Sequence, residues 1–82
     1  MKTTIIQKET ENLIFFQLDG KEIGWVQAGD TSMHDAMRGS KKWYGEARLT
    51  NRIAGSSGKK AEVLSTVKRQ LRESYDAKIR KA

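Results

Sequence analysis

Few side chains in this chain could do covalent or acid–base chemistry. His34 is the single histidine, with Asp35 beside it and Asp30 four positions back. Such a set could move a proton in general acid–base work, but no nucleophile and no cofactor motif accompanies it. The sequence has no cysteine, which removes thiol catalysis and cysteine-built zinc sites. A metal would then depend on carboxylates around one imidazole. The pair reads as an ordinary polar surface pair, so no enzyme, no cofactor and no metal site is expected.

Gly55-Ser56-Ser57-Gly58-Lys59-Lys60 offers different chemistry. Backbone N–H groups at a helix start, two hydroxyls and two ammonium groups can hold an anion. The nucleotide-hydrolysing loop pattern has Gly where this chain has Ile53, and Ser or Thr where it has Lys60. Nucleotide hydrolysis is therefore not expected, and a capped helix start is the simpler alternative. Two lysines at the positive end of a helix oppose its dipole slightly, a local conflict of the kind that accompanies function.

Lys68 stands one helical turn from Arg72. Arg38, Lys41 and Lys42 precede Trp43-Tyr44, with Arg48 close behind. Cations beside aromatic rings suit nucleic acid, since ammonium and guanidinium groups meet phosphate while rings stack on unpaired bases. Trp43 itself reads as core with Tyr44 at its rim. Arg69–Glu73, Arg72–Asp76 and Asp76–Arg80 are i,i+4 pairs contributing only ~0.2–0.5 kcal/mol each, so part of the charge is self-paired.

The charge distribution separates a platform from a binding surface. Residues 1–30 hold three Lys against five acids, a balance of −2. Residues 31–82 hold thirteen Lys and Arg against five acids, a balance of +8, and together they give the chain's +6. The basic half predicts a partner that is negative, with nucleic acid first. At 82 residues the chain is read as one domain, 1–82, with one modest core stabilised by packing alone or by self-association; a homodimer is compatible. The N-terminus lacks a signal-peptide core and no stretch approaches the ~20 apolar residues of a membrane span. A soluble, cytoplasmic protein with no membrane partner is the expectation.

Asp19-Gly20 between apolar runs predicts a tight hairpin. With those two residues as the loop, Leu18 pairs with Lys21, Phe16 with Ile23 and Ile14 with Trp25. Ile14, Phe16, Ile23 and Trp25 would then share the buried face, and Phe15 would lie opposite Gly24 on the other. Ile5 or Ile6 belongs to a third strand. Asp30 or Thr31 could cap a short helix near 31–38, ended by Gly39. Residues 41–54 fit a strand with Trp43, Gly45, Ala47 and Leu49 on one side, turning at Thr50-Asn51-Arg52 towards Ile53; a helix there stays open. Ser56 or Ser57 is placed to cap a helix from Lys59 to about Arg80, whose stripe is Val63, Leu64, Val67, Leu71 and Tyr75. The fold class is α+β: a small antiparallel sheet of three to five strands packed against one long C-terminal helix.

The run KWYGEARLTNRIAGSSGKKAEVLSTVKRQL, residues 43–71 in the main, resembles the strand–strand–helix half of a double-stranded-RNA-binding domain. That resemblance implies phosphate contacts for Lys59 and Lys60 and an inward Ala61. The same order is similar to AP2-type and integrase arm-binding domains, which read DNA with a sheet. Size and basicity also resemble small phage or prophage accessory proteins, including anti-CRISPR and other host-takeover inhibitors, which would place the chain in a host cytoplasm.

The leading expectation is a non-enzymatic nucleic-acid-binding accessory protein, for DNA or RNA, using Lys59, Lys60, Lys68, Arg38, Lys41, Lys42 and Arg48. The alternative is a protein inhibitor or adaptor. It would meet an acidic protein or nucleoprotein through an exposed sheet face of Leu13, Phe15 and Val26, since apolar residues left open on a sheet mark an interaction surface.

Overall fold

A computed structural model describes residues 3–29 and 42–82. The expected 31–38 helix, with His34, Asp35 and the capping residues, lies outside the described residues, as do Arg38 and Lys41. The chain runs β1 (Thr3–Glu9), β2 (Leu13–Leu18), β3 (Lys21–Ala28), β4 (Trp43–Arg48), β5 (Ile53–Gly58), α1 (Lys60–Tyr75) and β6 (Ala77–Lys81). The strands form one sheet in the order β5-β4-β3-β2-β1-β6. Every pairing is antiparallel except β1 with β6. The α+β class holds, but the sheet is mixed and has six strands rather than three to five.

Asp19 and Gly20 both have positive φ, 53° and 80°, the twist that a two-residue loop between right-twisted strands requires. Leu18 pairs with Lys21 as the sequence predicts, and then the register slips. Gln17 pairs with Glu22, but Phe16 pairs with Gly24, so Ile23 is an extra residue in β3. Beyond this bulge every β3 side chain changes face relative to expectation. Trp25 lies opposite Phe15 instead of Ile14, and Val26 takes the place beside Ile14. Trp25 is therefore only half-buried and is not core, whereas Val26 is fully buried. Val26 cannot belong to an exposed binding face.

The reason lies in how closely α1 approaches. Its Val63, Val67 and Leu71 are buried against the sheet, above four small residues: Gly24 and Val26 of β3, Gly45 and Ala47 of β4. A Cβ on Gly45 would lie 2.7 Å from a Val63 methyl and 2.9 Å from a Val67 methyl, and one on Gly24 would lie 3.0 Å from a Leu71 methyl. An indole in that layer would lift the helix off the sheet. Ile5, Ile14, Phe16, Ile23 and Trp43 fill the wider space around this contact. β4 adopts the predicted strand, with Trp43, Gly45 and Ala47 buried and Tyr44, Glu46 and Arg48 exposed. Ile5 enters the core while Ile6 faces out.

Two further expectations change at the C-terminal end. GSSG is the end of β5, not a cap; Lys59 occupies the N-cap position in extended conformation without a side-chain cap. The helix stops at Tyr75 rather than near Arg80. Asp76 adopts the left-handed conformation, φ 45°, one of the few non-Gly residues that tolerate it. The Tyr75 hydroxyl donates to the Arg48 carbonyl and fixes that end of α1 to β4. Ala77 and Ile79 then face the core while Lys78 and Arg80 face out, and β6 pairs with β1. This removes the Arg72–Asp76 and Asp76–Arg80 helical pairs.

Candidate functional site

α1 covers one face of the sheet, and no described element covers the other. Cross-strand registers give the side chains of that open face in rows. One row runs Lys8, Phe15, Trp25, Glu46, Gly55 across five adjacent strands. The next runs Leu13, Gln27, Tyr44, Ser57, and Arg80, Ile6 and Gln17 form a third. Phe15 and Trp25 are direct neighbours, with strands about 4.8 Å apart, and Tyr44 stands one rung along from Trp25. Three aromatic rings thus gather at the centre of a sheet face that no described residue covers.

Their surroundings are cationic. Lys8, Arg48, Lys78 and Arg80 share the face against Glu22 and Glu46. The Lys42 ammonium lies 5.6 Å from the centre of the Tyr44 ring, which adds a fifth positive charge at the aromatic end. The Tyr44 ring occupies the space that a Cβ on Gly29 would need, while the Gly29 N–H donates to the Lys42 carbonyl at 2.8 Å. The glycine therefore lets the ring lie against the backbone. Shallow depressions flank Trp25: one is walled by Tyr44 and Glu46 with Gly55 and Ser57 behind, another by Gln27, Gly29 and Tyr44. Such a surface offers flat rings for stacking, with cations on the same face.

The helix side differs. Lys60 lies 3.6 Å from Glu9 and 5.2 Å from the centre of the Trp43 ring, so its charge is already engaged. Lys81 lies 2.9 Å from the same carboxylate. Hydrogen bonding and charge from Lys81, helped by Lys60, hold the Glu9 carboxyl below the usual range. Ser56 and Ser57 alternate to opposite sides of β5 and Ala61 is exposed, so hydroxyls and ammonium groups do not converge as the loop motif suggests. Lys59 is exposed at the N-cap and Lys68 is half-buried on α1.

The predicted basic set is thus divided. Lys59, Lys60 and Lys68 belong to the helix side, and Lys42 and Arg48 to the sheet's open side. Of the alternative set, Leu13 and Phe15 are on the open face and half-buried. Sequence reasoning missed Trp25, Lys8, Lys78 and Arg80 as members of one surface. The alternation Ala77-Lys78-Ile79-Arg80 carried a strand signal that the helical stripe upstream obscured.

Among the described residues, no three His, Cys, Asp or Glu side chains gather as a metal site would require. None of the described helices is long and apolar enough to cross a membrane. Comparison with known proteins finds no match to a family model, a curated protein or a solved structure.

Proposed function

We propose that this protein is a non-enzymatic binder of single-stranded nucleic acid that uses the open face of its sheet. Bases stack on Trp25, Phe15 and Tyr44, while Lys8, Lys42, Arg48, Lys78 and Arg80 meet the phosphates around them. The observation that carries this reading is the row Lys8–Phe15–Trp25, with Tyr44 one rung away, on a face left bare by the helix. Aromatic residues at the centre of a sheet with cations at its margins suit splayed bases better than a duplex, whose bases are already stacked on one another. Lys60 becomes a secondary contact at most, since it is held by Glu9, and Lys59 and Lys68 stand on the helix side, away from the rings.

The test is a titration of the protein with labelled single-stranded and duplex oligonucleotides across a salt series. Expected are a preference for single strands, quenching of the Trp25 fluorescence, and affinity that falls linearly with the logarithm of salt at about 0.7 per phosphate contact. Binding to neither form at low salt overturns the proposal. A protein target on the same face, as for an inhibitor of the phage type, is the second reading. It rests on Ile6 and Ile53, exposed by 38% and 63% at the margins of the aromatic cluster.

A further inference from the structure

Glu46 does not fit a surface that only attracts phosphate. It is exposed, sits directly beside Trp25 in the central row, and no described cation lies within ion-pair distance of it. Arg48, two residues along on the same face, does not pair with it. On its other side is Gly55, where a Cβ would lie 3.9 Å from the Glu46 Cγ and nothing bulky intervenes. The carboxylate therefore projects at the rim of the depression between Trp25 and Tyr44. A negative charge there repels a backbone phosphate but can accept hydrogen bonds from the edge of a base stacked on Trp25.

We infer that Glu46 makes this face selective for guanine at the position stacked on Trp25. The inference rests on the stacking function proposed above. A carboxylate only accepts hydrogen bonds, and through two oxygens. Guanine alone presents two adjacent donors on its Watson–Crick edge, N1–H and the N2 amino group. Adenine and cytosine each offer one amino donor next to an acceptor nitrogen, whose lone pair faces the second carboxylate oxygen. Uracil and thymine offer one N–H between two carbonyls. A bidentate, charge-assisted pair forms with guanine only, and the other bases leave a carboxylate oxygen opposed by a lone pair.

The test compares octamers of thymidylate or uridylate that differ at one central base: guanine, hypoxanthine, adenine, cytosine, or none substituted. Hypoxanthine keeps N1–H and lacks the amino group, so wild-type protein alone reads out the second hydrogen bond. The guanine octamer should bind roughly 5- to 150-fold more tightly than the adenine, cytosine and unsubstituted ones, as a good bidentate base contact does, with hypoxanthine between. In Glu46→Gln the preference should collapse, while affinity for the unsubstituted octamer rises because a repelling charge is gone. Equal affinity for all octamers, or a guanine preference that survives Glu46→Gln, overturns the selectivity and leaves the stacking function standing. Binding to none of them overturns the stacking function, and this inference with it.

Discussion

The two faces of the sheet are built from alternate residues of the same strands, yet they divide by size more than by polarity. The helix side has Gly24, Val26, Gly45 and Ala47 at its centre. The open side has Phe15, Trp25 and Tyr44 at its centre. Trp25 would bury more apolar surface than Val26, and hydrophobicity alone would place it inside. It is excluded because α1 comes so close that Gly45 has no room for a single Cβ. Close packing of one side therefore determines what the other side displays, and a bulge at Ile23 is the device that makes the exchange.

This contrast can be broken most severely at the helix contact. Gly45→Val should destabilise the fold by about 3 kcal/mol, because its methyls have no space beneath Val63 and Val67. Chemical denaturation would measure it, and an unchanged midpoint would mean that α1 does not sit this close.

The neighbours Trp25 and Val26 sharpen it next. Val26→Ala should cost about 1.5–3 kcal/mol of stability from lost burial and a residual cavity, with single-strand affinity retained in the folded fraction. Trp25→Ala should do the reverse, weakening single-strand binding by about 1–3 kcal/mol with less effect on unfolding. If Trp25→Ala unfolds the chain and Val26→Ala does not, the observed register of β3 is wrong.

Charge on the two sides should separate by salt dependence. Lys8→Ala and Arg80→Ala should each flatten the salt slope of binding by about 0.7, whereas Lys68→Ala, across the sheet, should leave it unchanged. A loss of slope in Lys68→Ala alone would move the interface to the helix side.

The smallest effect concerns Glu9. Lys81 and Lys60 hold its folded pKa below the ordinary value of 4.5, so its contribution to stability is present above that value. It is lost as pH falls through the folded pKa. Glu9→Gln should lower the melting temperature slightly near about pH 7, and the two curves should converge as pH falls below the folded pKa of Glu9. A constant difference across that range would show that the carboxylate charge is not what matters.

The turn at Asp19-Gly20, the parity of β4 and the stripe of Val63, Val67 and Leu71 were legible because each depends on local spacing. The bulge was not. Residues 21–28 carry apolar side chains at both parities, so Ile23 with Trp25 and Ile23 with Val26 are equally good local patterns. Nor was the end of the helix, since Ile79 continues the helical spacing from Tyr75 as well as it begins the alternation of β6. The candidate site depended on both ambiguities: Trp25 reached the open face through the bulge, and Lys78 and Arg80 through β6.

By itself, then, the sequence determined an α+β chain with a hairpin at Asp19-Gly20, a helix whose apolar stripe must cover a sheet, and an excess of positive charge. Those properties follow from backbone preference, periodicity and composition, all of which are local or additive. Which side chains share a surface was decided only in three dimensions. Period-two alternation makes face membership hinge on a single inserted residue, and the choice between registers was made by the space left beneath α1. The same packing placed Lys60 against Glu9 and left Phe15, Trp25 and Tyr44 together on the side opposite α1.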